Sequence, residues 1–89
     1  MAQLYFTQQL RRFVDTPSIS TSAATLREAL EEAFAAAPQL RGYVLDDQGH
    51  LRKHVIVFID GQRVRDYAKL DDALLANSEV LVLQAVTGG

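Results

Sequence analysis

Eighty-nine residues set the scale of one domain with one compact core, and a hydrophobic share of 48% argues against disorder. Acidic and basic residues nearly balance at a net charge of −2, so nothing electrostatic points to nucleic acid or an anionic membrane as partner. The absence of cysteine excludes disulfides, thiolate metal sites and cysteine nucleophiles, and it fits a reducing cytoplasm, the location expected here. No apolar run approaches a membrane span, and the first residues lack a signal-peptide pattern.

Gln3 to Thr7 alternates, with Leu4 and Phe6 on one face, and predicts a first strand. Gln8 to Arg12 reads as a polar turn. Phe13 to Ser20 reads as a second strand with Ile19 inward, and Pro17 confines it to an edge or interrupts it. Thr25-Leu26-Arg27-Glu28 has the spacing of a capping box, in which the Thr25 hydroxyl and the Glu28 side chain satisfy amides reciprocally. The helix after it should run to about Ala37, since Leu26, Ala29, Leu30, Ala33, Phe34 and Ala37 form one apolar face. Pro38 is expected to stop it. Leu40 to Leu45 fits either a short turn of helix or an extended link, and Asp46-Asp47-Gln48-Gly49 is a turn cluster.

His54 to Ile59 is apolar on both faces, the signature of a central strand. Asp60-Gly61 is a two-residue hairpin signal that returns the chain through Gln62, Arg63 and Val64. Leu70 to Leu75 suggests a short helical turn capped by Asp71 or Asp72. Asn77 to Glu79 makes a turn, and Val80 to Val86 a last strand that runs into Thr87-Gly88-Gly89. Gly in both terminal positions arises by chance in about 0.5% of chains, given its average share near 7%. Such an end is slim enough to enter a narrow channel and present its carboxylate. The division expected is a folded domain over 1–86 and a flexible tail over 87–89.

The order is strand, strand, helix, strand, short strand, turn, strand. It predicts an α+β fold: a β-grasp, ubiquitin-like roll with a mixed sheet of four to five strands and one main helix on one face. The first and last strands pair centrally in parallel. If Val55, Val57 and Ile59 face the helix, Ile56 and Phe58 face away. By the same alternation Val80 and Val82 face in, and Leu81 and Leu83 out. These four are the expected partner-binding patch, with Arg11 and Arg65 among the arginines placed to steer an acidic partner. His50 and His54 stand about 13 Å apart on an extended segment, which argues against a metal site. No Gly-rich phosphate loop and no Ser/His/Asp arrangement is present, so no catalytic residue is assigned.

The stretch from Leu51 to Arg65, LRKHVIVFIDGQRVR, resembles the central hairpin of the MoaD/ThiS family. The ending from Glu79 to Gly89, EVLVLQAVTGG, resembles that family's last strand and tail, and the helix start at Thr25 matches in place and type. The resemblance covers nearly the whole chain. Gln84 stands where family tails often carry proline, and Thr87 where alanine or serine is frequent. The hairpin and the ending look most like carriers serving cysteine or siderophore biosynthesis, with molybdopterin and thiamine carriers close by. The resemblance implies a sulfur carrier rather than an enzyme. An E1-like activating enzyme, using ATP and Mg²⁺, adenylates the terminal carboxylate. A rhodanese- or cysteine-desulfurase-type donor converts it to a thiocarboxylate, and an acceptor synthase takes the sulfur. Carried onto this chain, Gly89 bears the thiocarboxylate, while Gly88, Thr87 and Val86 present it. No cofactor is expected to be bound by the carrier itself. A modifier joined to target lysines through Gly89 and a non-covalent ubiquitin-like module are the alternatives.

Overall fold

The computed structural model describes residues 1–7 and 18–84. Among the described residues five strands and two helices occur in the order β1 (Ala2–Phe6), β2 (Ser18–Thr21), α1 (Leu26–Ala36), α2 (Pro38–Val44), β3 (Val55–Ile59), β4 (Gln62–Arg63) and β5 (Glu79–Gln84). They form one mixed sheet in the order β2-β1-β5-β3-β4. β1 and β5 pair in parallel at its centre, and every other pairing is antiparallel. This is the β-grasp roll that the element order predicts.

The alternating residues of three strands make one wall of the core. Leu4 and Phe6, Val55 and Val57, and Val80 and Val82 are all buried. Leu26, Ala29, Leu30, Ala33 and Phe34 of α1 cover them. Ala29 and Ala33 are completely enclosed, and their small side chains bring the helix axis close to the sheet.

Pro38 does more than end α1. It occupies the first turn of α2, where its missing N–H is no loss and its fixed φ suits a helix. α2 then buries Leu40 and Val44 in the same core, which resolves the ambiguous Leu40–Leu45 stretch in favour of helix. Asp60-Gly61 makes the expected hairpin turn. Its φ values of 51° and 85° are the left-handed pair of a type I′ turn, with glycine where a Cβ would be strained.

Leu70 to Leu75 holds no helix, so neither Asp71 nor Asp72 caps one there. The segment instead bridges Thr25 through Ala73, and its carbonyls cap α1. The Leu26 amide donates to the Asp72 carbonyl (3.0 Å) and the Arg27 amide to that of Leu70 (2.8 Å). The Glu28 amide donates to the Thr25 hydroxyl (3.3 Å). These three amides have no partner within the helix, so partners outside it decide whether its end can be buried. The Glu28 carboxylate differs from the predicted box: it accepts from the Thr25 hydroxyl (3.3 Å). The positive φ of Leu70, 55°, turns the chain so that these carbonyls face the helix. The Arg27 side chain reinforces the junction by donating to the carbonyls of Gly49, Ala68 and Lys69. The second strand is observed over Ser18–Thr21; the rest of the predicted Phe13–Ser20 strand and the Gln8–Arg12 turn lie outside the described residues.

Two turns carry acid-sensitive carboxylates. Asp46 accepts from the backbone amides of His50 (3.0 Å) and Gln48 (2.9 Å), and Asp66 from those of Lys69 (3.0 Å) and Ala68 (2.9 Å). These bonds, led by His50 for Asp46 and by Lys69 for Asp66, hold both carboxyls below their ordinary pKa. A depressed folded-state pKa contributes stability that is present above the unfolded value and lost as pH falls through the folded one. Stability should therefore fall with acid below about pH 4, the ordinary carboxylate range. The double variant Asp46→Asn, Asp66→Asn should show a shallower acid slope. Thermal melts followed by circular dichroism from pH 7 to pH 2 would check this, and an unchanged slope would refute it.

Candidate functional site

Among the described residues the helices cover one face of the sheet and leave the other open. Cross-strand register places the side chains on that open face. Leu81 of β5 lies between Tyr5 of β1 and Phe58 of β3, and Phe58 is next to Arg63 of β4. One row further along β5, Leu83 is paired with Ile56. Directly opposed residues share a face with Cβ atoms about 5 Å apart, so Tyr5, Leu81, Phe58, Ile56 and Leu83 form one continuous apolar patch. Leu81 is 39% exposed, and the others are half-buried. Contiguous apolar patches on small proteins are commonly interaction sites.

The margins of the patch are polar. On one side Gln3 sits opposite Glu79 and donates to the Ser20 hydroxyl (2.8 Å). On the other, Arg63 stands exposed at the sheet edge, with exposed Arg65 two residues on. Alternation thus brings the predicted Ile56, Phe58, Leu81 and Leu83 together, and Arg65 lies at their border. Arg11, Val86, Thr87, Gly88 and Gly89 lie outside the described residues, as does the expected boundary at residue 86. Tyr5 was missed by the sequence reading. Its signal was present, since inward Leu4 and Phe6 put Tyr5 outward. Its place beside Leu81 follows only from the parallel β1–β5 register.

The patch reaches the end of β5 from which the chain runs on toward its C-terminus. Gln84, the last described residue, pairs with Val55. At the opposite end the strand is anchored by the hairpin turn. The Asp60 carboxylate accepts from the Ser78 hydroxyl and from the Glu79 amide, each at 2.9 Å, and the Ser78 hydroxyl accepts from the Leu75 amide (2.8 Å). Ser78 is 2% exposed, so its hydroxyl makes its bonds away from solvent, where losing them is costly, while Asp60 itself is exposed. β5 is therefore fixed at its head and central in the sheet along its length, a rigid base for the C-terminal residues.

A groove of about 740 Å³ borders the same end of the sheet, lined by His50, Arg52, Lys53, His54, Arg65 and Tyr67 among others. The Tyr67 hydroxyl donates to the Val55 carbonyl (2.7 Å) and so satisfies a main-chain group beyond the reach of short β4. Both histidines line this groove, yet among the described residues no group of three or more potential ligands is placed to hold a metal ion. No helix among them is long and apolar enough to cross a membrane.

The fold and the open face define a ubiquitin-like β-grasp protein with an apolar patch that reaches the end of β5. The ThiS family model matches residues 4–89, and the chain belongs to that family. Solved structures of similar fold cover nearly the whole chain. The chain of the Amycolatopsis orientalis BexX/CysO complex is 18% identical, covers 100% of both chains and superposes with a TM-score of 0.88. CysO of Mycobacterium tuberculosis, described as an antigen, is 22% identical with a TM-score of 0.84, covering 97% of this chain and 100% of its own. SAMP1 of Haloferax volcanii is 24% identical with a TM-score of 0.81, covering 99% and 98%. No curated protein sequence matches this chain.

Proposed function

We propose that this protein is a sulfur carrier whose Gly89 carboxylate is adenylated by an E1-like enzyme and converted to a thiocarboxylate. The observation that carries this reading is the apolar face running to the end of β5, beyond which five residues end in Gly88-Gly89. Membership of the ThiS family supports it, as does the likeness to a CysO chain solved in a complex.

The chemistry starts from the carboxylate. Its oxygen is a poor leaving group, so sulfur cannot displace it directly. Transfer of AMP from ATP, with loss of pyrophosphate, supplies a good leaving group. The terminal sulfur of a persulfide on the donor protein, of rhodanese or cysteine-desulfurase type, then forms the C–S bond as AMP departs, and a thiol cleaves the resulting acyl disulfide, which leaves the thiocarboxylate as a new disulfide forms. ATP and Mg²⁺ belong to the activating enzyme, and the sulfur passes to an acceptor synthase of cysteine, siderophore, molybdopterin or thiamine type. The carrier is a cosubstrate: it supplies docking and proximity, and the catalytic groups are its partners'. With Gly88 and Gly89 free of side chains and Val86 and Thr87 leading into them, the tail is thin enough for a narrow channel.

The likeness to SAMP1, a small archaeal modifier protein, favours a second reading in which Gly89 ends in an isopeptide bond to lysine. Mass spectrometry of protein isolated from its native host separates the two. A gain of about 16 Da at the C-terminus, one oxygen replaced by sulfur on a carboxylate delivered by proximity, is the expected result. High-mass conjugates without that species would favour the modifier, and an unaltered carboxylate under sulfur-demanding growth would defeat both.

A further inference from the structure

Charge is unevenly spread in the groove of about 740 Å³ that borders the end of β5. Two carboxylates, Asp46 and Asp66, line it, and each is already engaged by two backbone amides. The cations beside these carboxylates are His50 and Arg52 for Asp46, and Lys69 and His50 for Asp66. Arg52 Nε also donates to the Gly42 carbonyl (2.8 Å). Lys53, His54 and Arg65 line the groove as well. Among the described residues none of these three side chains has a hydrogen-bond or ion-pair partner, and the one ion pair, Arg41 with Glu31, lies outside the lining. Lys53 and Arg65 are exposed. They form a cationic rim with no counter-charge of its own.

Below that rim the lining is apolar. Leu51 belongs to the core cluster, and Tyr67 packs against that cluster with its hydroxyl committed to the Val55 carbonyl. Ala68 adds an exposed methyl group. This composition selects among anionic occupants. A nucleic acid needs a track of cations, and a chain of net charge −2 with acids in the same groove repels it. A free phosphate favours a helix N-terminus, and neither α1 nor α2 contributes one to the lining. A groove of this size holds several side chains rather than one small anion. A peptide matches both parts, with an apolar side chain below and carboxylates at the rim. The apolar face ends close by, at Leu83 and Ile56 next to the Gln84–Val55 pair. A protein lying on that face has the groove at its margin.

We infer that this groove receives an acidic segment of the partner protein that covers the open face: one apolar side chain set against Tyr67 and Leu51, with flanking carboxylates paired to Lys53 and Arg65. Exposed ion pairs contribute little affinity each, but complementary charge at a margin fixes orientation and rejects partners of the wrong sign. The contact is the same whether Gly89 carries sulfur or ends in an isopeptide bond, so it does not depend on the chemistry proposed there.

Nitrogen-15-labelled full-length protein titrated with the blocked peptide Asp-Glu-Leu-Glu-Asp tests it. Amide shifts centred on residues 50–54 and 65–68 are expected, and binding should weaken several-fold as salt is raised from about 0.05 M to about 0.5 M. The double variant Lys53→Glu, Arg65→Glu should weaken binding about tenfold or more, since two attractive pairs become repulsive. Its circular dichroism melt should stay unchanged because both side chains are exposed. The blocked peptide Lys-Arg-Leu-Arg-Lys should bind the reversed variant and not the wild type. Four results would overturn the proposal: shifts centred on Leu81 and Phe58, no shifts at millimolar peptide, equal binding of Asp-Glu-Gly-Glu-Asp, or tighter binding in the groove by inorganic phosphate or a single-stranded oligonucleotide.

Discussion

Phe58→Asp should lower affinity for the adenylating enzyme by about a hundredfold or more, the loss typical of a buried hot-spot residue. Phe58 lies on the open face between Leu81 and Arg63 and is half-buried among its neighbours even without a partner. When the face is covered, its ring loses the rest of its water. An aspartate there would have to bring a carboxylate into an apolar contact with no partner to neutralise it, at a cost of several kcal/mol. The free protein faces no such demand. Phe58 points away from the α1 side of the sheet, and Arg63 directly across the strand pair gives the new carboxylate a nearby cation. The melting transition should therefore shift little while binding collapses. Calorimetric titration with the activating enzyme of the same host, beside a thermal melt, measures both quantities. Unchanged affinity would show that the partner docks elsewhere.

The residues responsible for that expectation were legible because they obey short periods. Alternation in Val55–Ile59 and Glu79–Gln84 sorts inward valines from outward Ile56, Phe58, Leu81 and Leu83. The capping residue Thr25 and the apolar face from Leu26 to Phe34 define α1. Asp60-Gly61 fixes a hairpin because only a few residue pairs accept two successive positive φ angles. The features that were not legible depend on partners distant in the chain. Leu70 to Leu75 has a composition compatible with a helical turn, but its carbonyls are needed at the N-terminus of α1, some forty residues earlier in the chain. That long-range demand holds Leu70 at a φ of 55° and keeps the segment out of a helix. Arg27 lies off the apolar face of α1, where no periodicity points to a partner, yet its guanidinium joins the 49 and 68–69 turns to α1. Tyr5 shows the same limit within the site. Its face was readable, whereas its neighbour Leu81 depended on knowing that β1 and β5 run side by side.

Removal of Gly88 and Gly89 should separate docking from chemistry. The described sheet closes at Gln84, paired with Val55, and the apolar face ends at Leu83 and Ile56. The shortened chain keeps all of these, so its affinity for the activating enzyme should stay within a few-fold of the intact protein. Its carboxylate, now on Thr87, falls short by two residues, roughly 7 Å of extended backbone. Misplacement by about 1 Å can already cost about a hundredfold in rate. It would also carry a branched side chain where the intact tail presents glycine. Pyrophosphate exchange supported by the truncated protein should therefore drop to background, with no thiocarboxylate formed. The opposite signature is expected of Phe58→Asp, whose tail is intact: exchange should recover as its concentration is raised. If the truncated protein sustained exchange at the normal rate, Gly89 would not be the reactive end, and the open face would have to serve a non-covalent interaction instead.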